Sequence, residues 1–311
     1  MNETVARDFV IGTRASRLAL RQTELVLQPL RDAHPEVRFA VRTIRTVADR
    51  HPDRPLDRLP DIGFFVKELE VALLAAEIDA VVHSMKDLPS AATPGLAVAA
   101  VAEREDARDV IVSRDHLTLE ALPLGARLGT SSPRRGAFLR VYRPDLEIVP
   151  IRGNVETRIG KVDAGDVDAV CLAGAGLRRL GLESRITQWL PFDIVPPAPA
   201  QGALGVQVRT GDRRAAVLAG AADHAPTRHA VTAERAVLTR LAGGCRLPVA
   251  AFARVEGAQL SLEAAIAAPD GRRIETAAGK GLVTDAESLG KSLAEDLLGR
   301  AADLIRGAQE R

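Results

Sequence analysis

Short apolar runs alternate with segments of helical spacing over about the first two-thirds of the chain. The apolar runs predict strands at 9–12, 38–47, 80–83, 96–102, 110–113, 146–151, 168–173 and 204–208. The helical spacing predicts helices at 17–31, 65–76, 134–142, 155–164 and around 177–180, and a Pro- and Asp-rich stretch at 49–63 predicts an exposed loop. This alternation is typical of α/β domains whose sheets are mixed but mostly parallel.

The C-terminal part of the chain has a different pattern. A helix is predicted at 227–241, alternating strands at 249–255 and 259–267, a turn at 269–271 and an amphipathic helix at 285–305. Four prolines within 191–199 predict an extended segment that returns to the first part of the chain. We therefore expect two α/β domains, 1–103 with about 201–222 and 104–200, followed by a smaller α+β domain at 223–311.

Composition narrows the class of protein. The chain has 311 residues, 46% hydrophobic and 27% charged, which is typical of a soluble globular protein. A net charge of +1 does not indicate a nucleic-acid partner or an anionic membrane, so any basic site must be local. The apolar runs are too short to span a bilayer, and the N-terminal residues lack the apolar core of a signal peptide. With two cysteines and scattered histidines, we expect a cytoplasmic protein without a metal site.

Arginine and hydroxyl residues gather where predicted strands pass into helices. Such junctions accept anions, because the first N–H groups of a helix have no partner within the helix. The three junctions contain Arg14 and Ser16; Thr130, Ser132, Arg134 and Arg135; and Arg152, Gly153 and Arg158. The predicted N-caps of the three helices are Ser16, Ser132 and Asn154. At any single junction the alternative is a surface arginine beside an ordinary cap. Three such junctions predict carboxylate or phosphate binding at the carboxyl ends of the strands.

A polar segment follows the predicted strand at 80–83. It contains Ser84, Lys86 and Asp87. On a loop, Lys86 and Asp87 can point into one cleft, where the carboxylate carries protons or stabilises a cation and the ammonium holds a substrate carboxylate. The alternative is a salt-bridged pair on the surface.

Cys245 follows Gly243 and Gly244. A glycine pair lets other groups approach the backbone closely, and a thiol presented there can act as a nucleophile or a covalent attachment point. The alternative for a lone cysteine is a small buried hydrophobe. That interpretation is favoured for Cys171, which lies inside an apolar run.

Several blocks closely resemble the porphobilinogen deaminase family, also called hydroxymethylbilane synthases. They are Val-Lys-Glu-Leu-Glu at 66–70, His-Ser-Met-Lys-Asp at 83–87, the segments 129–135 and 177–185, Arg-Gly-Asn at 152–154 and Gly-Gly-Cys at 243–245. The resemblance implies two domains like the halves of periplasmic binding proteins and a third that bears the cofactor cysteine. It also implies a transferase of haem biosynthesis that joins four porphobilinogen molecules head to tail, releases ammonia each time and yields hydroxymethylbilane.

The resemblance further implies a dipyrromethane cofactor, built from substrate and held by a thioether to Cys245. Asp87 and Lys86 are the implied catalytic residues, with Asp87 stabilising pyrrole cations and moving protons. The implied cofactor contacts are Ser84, Lys86, Asp87, Thr130, Ser132, Arg134, Arg135, Arg152, Gly153 and Phe65, and the implied substrate contacts are Arg14, Ser16, Arg152, Arg158 and Arg179. We expect a monomer whose partner is the small molecule porphobilinogen.

The chemistry of the residues agrees with this interpretation. Each pyrrole of the substrate carries an acetate and a propionate, and desolvating such anions is costly unless fixed cations and hydrogen-bond donors meet them. Cation chemistry beside those anions calls for one buried acid, and Asp87 is the candidate. Two positions depart from the family pattern: Pro-Asp-Ile at 60–62 replaces a frequent Gly-Gly-Lys, and Pro133 replaces a usual leucine. The rival interpretation is a two-lobed anion receptor without catalysis, which would normally need export and gives Cys245 no role.

Overall fold

The computed structural model describes residues 7–46, 66–241 and 248–301. The chain forms two compact units, Met1–Arg104 with Ala203–Arg228 and Glu105–Gly202 with His229–Arg311. The first unit is therefore discontinuous in sequence. In the described part of the chain, each helix is too short or too polar to cross a membrane.

The first unit is built on one five-stranded sheet. It contains β1 (Phe9–Arg14), β2 (Phe39–Ile44), β3 (Ala80–Ser84), β4 (Leu96–Val101) and β10 (Leu204–Arg209), with α1 (Arg17–Ala33), α2 (Lys67–Leu74) and α6 (Arg213–Gly220). The strand order is β2-β1-β3-β10-β4, and β10 is antiparallel to both of its neighbours. Since β1 pairs in parallel with β2 and β3, the carboxyl ends of these three strands lie at one edge of the sheet.

The apolar pattern explains why α1 lies on this sheet. Val26, Leu27 and Leu30 have the spacing of one helix face, are fully buried, and pack with Phe9 and Ile11 of β1. Burying each of these side chains contributes roughly 1.5–3 kcal/mol. The packing fixes the start of α1 beside the carboxyl end of β1.

The second unit repeats the same strand order. It contains β5 (Asp109–Ser113), β6 (Arg127–Gly129), β7 (Glu147–Val149), β8 (Ala169–Ala173) and β9 (Gln188–Trp189), with α3 (Pro133–Tyr142), α4 (Val155–Asp163) and α5 (Gly174–Leu180). The order is β7-β6-β8-β5-β9, and β5 is antiparallel to both neighbours. The parallel strands β6, β7 and β8 end at one edge, where the predicted anion junctions begin.

The C-terminal part of the second unit is an antiparallel sheet with two helices. It contains β11 (Val249–Glu256), β12 (Gln259–Ala267), β13 (Ile274–Leu282), α7 (Ala225–Leu241) and α8 (Ala286–Arg300). Ala250 and Ala265 of this sheet share a buried core with Phe138 of α3. The carboxylate of Glu234 also accepts hydrogen bonds from the backbone N–H groups of Ala200 and Ala253, at 2.6 and 2.7 Å. These contacts join the C-terminal sheet to the second α/β sheet in one unit.

The predicted fold class is confirmed: two α/β sheets are mixed and mostly parallel, and the C-terminal part is α+β. The strand β6, the two-residue strand β9 and the helix α6 were not predicted from the sequence. The division into three separate domains stays a prediction. The predicted loop at 49–63, Phe65 and Cys245 lie outside the described residues.

Candidate active site

A pocket of about 440 Å³, part of it open solvent, lies at the carboxyl edge of the sheet in the first unit. Its walls include Arg14, Ser16 and Gln22 on one side and Ser84 and Asp87 on the other. The parallel pairing of β1 with β3 produces this arrangement, because Arg14 and Ser84 are the last residues of these neighbouring strands. The structure therefore brings four predicted site residues into one pocket, and it adds Gln22, which the sequence analysis did not identify.

Internal hydrogen bonds orient the hydroxyl groups of the pocket. The Oγ atom of Ser16 accepts from the N–H of Ala19 at 3.2 Å and so caps α1. Ser84 Oγ accepts from Nε2 of Gln22 at 3.0 Å. A hydroxyl whose oxygen already accepts a bond still has its own hydrogen to donate, so both serines can serve as donors to an anion.

Lys86 and Asp87 lie in a short 3-10 helix, Met85–Asp87, directly after β3. Met85 anchors this turn: its side chain is buried, and its N–H donates to the carbonyl of Ala203 at 3.0 Å. A Cβ at position 205 would contact the Sδ atom of Met85, so the strand beneath the turn requires Gly205. These contacts fix the position of the turn that contains Asp87.

The sequence analysis expected Asp87 to be a buried acid, and in this respect it was wrong. The side chain is exposed at the mouth of the pocket, although it is part of the pocket wall. Asp87 is the last residue of the 3-10 helix that follows β3, whereas the buried residue of that helix is Met85. The buried titratable group of the pocket is His83, whose pKa burial lowers to about 4 against the opposing hydrogen bond to Gln207.

The second unit gathers its predicted site residues at the equivalent edge of its own sheet. Thr130 and Ser132 follow β6, whereas Arg152 and Gly153 follow β7, the parallel neighbour of β6. Ser131 joins the two segments, because its Oγ atom donates to the carbonyl of Ile151 at 2.6 Å and accepts from the N–H of the same residue at 3.0 Å. The two junctions therefore form one surface.

The predicted caps of this surface are confirmed. Ser132 accepts from the N–H of Arg135 and caps α3, and Asn154 accepts from the N–H of Thr157 at 2.8 Å and caps α4. The Oγ atom of Thr130 accepts from the N–H of Ser132 at 3.2 Å. As in the first unit, the hydroxyls of Thr130 and Ser132 are left with hydrogens to donate.

Gly153 determines the backbone conformation of the junction after β7. Its φ of +102° lies in the region that favours glycine, and a Cβ there would overlap the side chain of Thr157. The carbonyl of Gly153 accepts from Nε of Arg158 at 2.9 Å. Arg158 is thereby held against the turn that follows Arg152.

Arg134 and Arg135 have an internal partner that the sequence did not indicate. Their guanidinium groups bind the two oxygens of Asp109 at 2.6 and 2.7 Å, and the side chains are at most 8% exposed. Burial alone would raise the pKa of Asp109, but the attraction of the two arginines outweighs it and holds the pKa well below its usual range. Gln201 completes the cluster by donating to Asp109 at 2.8 Å. Two cations against one carboxylate leave a net positive charge behind the surface.

Arg179 has a hydrogen-bond partner outside this surface. It lies in the last turn of α5, and its Nη2 donates to the carbonyl of Gly202 at 2.6 Å. Burial lowers its pKa to about 10, opposed by the attraction of Glu105. The role of Arg179 in substrate binding stays a prediction.

Within residues 7–46, 66–241 and 248–301, His, Cys, Asp and Glu side chains form no cluster able to hold a metal. Cys171 is fully buried in β8, as predicted. Fold and site together define an α/β protein with donors for multiple carboxylates and one acid at the pocket mouth. Such a site suits a receptor for a molecule with several carboxylates as well as a transferase that acts on one.

Residues 9–217 match the porphobilinogen deaminase, dipyromethane cofactor binding domain, and residues 229–299 match the porphobilinogen deaminase, C-terminal domain. The porphobilinogen deaminase of Desulforudis audaxviator is 49% identical over 96% of this chain and 97% of its own length. That of Roseiflexus castenholzii is 48% identical over 93% and 95%. Among solved structures, a putative methionine-binding lipoprotein from Bacillus subtilis has a TM-score of 0.42 at 14% identity, over 68% of this chain and 87% of that one.

The chain belongs to the porphobilinogen deaminase family and contains both of its domains. The family, the transferase activity and the dipyrromethane cofactor predicted from the sequence are thereby confirmed. The donor set fits that cofactor, since hydroxyl hydrogens and guanidinium groups are the partners that acetate and propionate groups require.

Proposed function

We propose that this chain joins porphobilinogen molecules head to tail at the pocket of the first unit, with Asp87 as the group that exchanges protons and stabilises cations. One observation carries this assignment. Asp87 is the carboxylate in the wall of a pocket whose other polar side chains include the donors Arg14, Ser16 and Ser84. Donors hold the carboxylates of a pyrrole, and a single carboxylate beside them can offset a positive charge on the ring.

The remaining predicted contacts have distinct roles in this proposal. Lys86, Arg14 and Ser16 bind acetate or propionate groups near Asp87, and Arg158 and Arg179 bind substrate carboxylates. The cofactor contacts are Ser84, Lys86, Asp87, Thr130, Ser132, Arg134, Arg135, Arg152, Gly153 and Phe65. Arg134 and Arg135 act mainly through the net positive charge that they and Asp109 place behind the surface. Dipyrromethane, held through Cys245, supplies the pyrrole end to which the first substrate is joined.

Asp87→Asn tests the assignment of the acid. The variant keeps the size of the side chain and removes the charge and the proton acceptor, so turnover should fall by at least about 10²-fold. The dipyrromethane mass increment should remain, because Asp87 is not the attachment point. Turnover within a factor of two of the unsubstituted protein would remove Asp87 from the mechanism.

Cys245→Ser tests the attachment point, with Cys171→Ala as the matched control. Intact mass spectrometry should show the dipyrromethane increment in the unsubstituted protein and in Cys171→Ala, and its loss in Cys245→Ser. An increment that persists in Cys245→Ser, or that depends on the buried Cys171, would contradict the tether.

We also propose that the protein works as a monomer in the cytoplasm. The net charge of +1 and the use of only two cysteines support an intracellular, disulfide-free protein. Light scattering of the purified protein should give the mass of one chain of 33.1 kDa plus cofactor. A stable dimer would refute the monomer.

A further inference from the structure

A row of hydrogen-bonded side chains runs behind the pocket of the first unit. Nε2 of His83 lies 3.0 Å from Oε1 of Gln207, and Nε2 of Gln207 donates to Oε1 of Glu70 at 2.8 Å. The second oxygen of Glu70 accepts from Oγ1 of Thr93 at 2.9 Å. His83, Gln207 and Glu70 are at most 8% exposed, and His83 is part of the pocket wall.

The direction of each bond in this row follows from the carboxylate. An ionised Glu70 can only accept, so the NH₂ group of Gln207 must face it. The carbonyl oxygen of Gln207 then faces His83 and can only accept as well. His83 must therefore carry a proton on Nε2, and in the neutral imidazole Nδ1 is left without one.

Charged groups approach His83 from several elements. Arg14 at the end of β1 lines the same pocket, Lys86 and Asp87 follow in the same segment, and Glu70 lies on α2 at the far end of the row. A protonated His83 would place a second cation in the pocket wall that already contains Arg14. Burial opposes that state, since it disfavours the charged form of an imidazole.

We propose that Glu70, acting through Gln207, fixes the proton of the buried, neutral His83 ring on Nε2, and that these three are positioning residues for the reaction at Ser84–Asp87. The neutral ring keeps additional positive charge away from Asp87. His83 and Asp87 line the same pocket, and a cation near a carboxylate weakens it as a proton acceptor. The kinetic part of this inference rests on the proposed role of Asp87, whereas the protonation state of His83 does not.

The double substitution Glu70→Gln with Gln207→Glu tests the row without removing any hydrogen bond. The amide at 70 can still accept from Thr93 and donate to position 207, and the carboxylate at 207 can still accept from His83. Total charge and atom count in the row are unchanged, but the negative charge now lies next to the imidazole and favours its protonated form. A purely structural row would tolerate this exchange at every pH.

We expect kcat of the double variant to fall by up to about tenfold at pH 7, because a cation beside Asp87 weakens that carboxylate as a proton acceptor. KM should not rise, since an added cation does not weaken carboxylate binding. Activity should recover as pH increases and His83 loses its proton. Glu70→Gln alone is the comparison variant. It removes the carboxylate that orients the amide of Gln207, and it places no negative charge at position 207.

Nitrogen NMR of the histidine side chains in the unsubstituted protein gives a second test that does not depend on the double variant. His83, assigned by its loss in His83→Gln, should show the Nε2–H tautomer and no titration between pH 5.5 and 8. A proton on Nδ1, or titration of His83 near pH 6.5, would overturn the inference. So would a double variant whose kcat follows the same pH profile as the unsubstituted protein. Loss of turnover in Asp87→Asn is a separate result and leaves the NMR test unaffected.

Discussion

Asp109→Asn should lower the stability of the protein, because Asp109 lies at the centre of a buried ionic cluster. The carboxylate of Asp109 has no exposed surface and binds the guanidinium groups of Arg134 and Arg135 at 2.6 and 2.7 Å. Asparagine keeps the size of the side chain but removes its charge, which leaves two buried cations uncompensated. Breaking a buried ion pair in this way costs about 3–5 kcal/mol.

The assay is thermal unfolding of the purified holoprotein. A loss of this size lowers the melting temperature on the order of 10 °C for a unit of this length. Glu287→Gln is the matched control, because Glu287 pairs with Lys291 on the exposed face of α8, where both side chains are more than half exposed. That substitution should leave the melting temperature unchanged within error.

The effect of Asp109→Asn should also depend on pH. The pKa of Asp109 is lower in the folded protein than in the unfolded chain, so its stabilising contribution is present above the unfolded pKa of roughly 4. The contribution is lost as pH falls through the folded value. The difference in melting temperature between the two proteins should therefore narrow below about pH 4. A variant that melts within 2 °C of the unsubstituted protein at pH 7 would refute the reasoning.

Three further predictions concern the pocket of the first unit and the junction after β7. Gly205→Ala places a Cβ against Met85, so the free energy of unfolding should fall by about 1–3 kcal/mol. The 3-10 turn should shift and kcat should drop, and an unchanged kcat would contradict this. Gly153→Ala and Gly211→Ala both place a side chain at positive φ, +102° and +84°, but only the first meets a neighbouring side chain. Gly153→Ala should therefore destabilise more and raise KM, and equal KM values in the two variants would argue against a substrate site there. As pH falls from 6.5 to about 4, His83 should lower the free energy of unfolding by about 3 kcal/mol, because the unfolded chain binds a proton that the folded protein excludes. In chemical unfolding, His83→Gln should lack this dependence of the unfolding free energy on pH. An equal dependence in both proteins would contradict the burial argument.

Local patterns were enough to predict most of the fold. The caps Ser16, Ser132 and Asn154 were each identified from a hydroxyl or amide residue before a helical pattern, and each accepts the expected backbone bond. The strand β9 was missed because two residues, Gln188 and Trp189, are too few to show alternation.

Long-range partners could not be predicted in the same way. Arg134 and Arg135 were expected to face a ligand, and their pairing with Asp109 depends on β5 entering the sheet beside β8. Likewise, His83 and Gln207 are 124 residues apart and meet because β10 pairs with β3. A spacing rule along the chain contains no signal for contacts that the sheet order creates.

The stoichiometry of turnover tests the central claim most directly. Purified protein incubated with porphobilinogen should release one ammonia for each porphobilinogen consumed and form one hydroxymethylbilane for every four. Asp87→Asn should bind porphobilinogen and release almost no ammonia. Tight binding of porphobilinogen by the unsubstituted protein without ammonia release would identify a receptor and contradict the account.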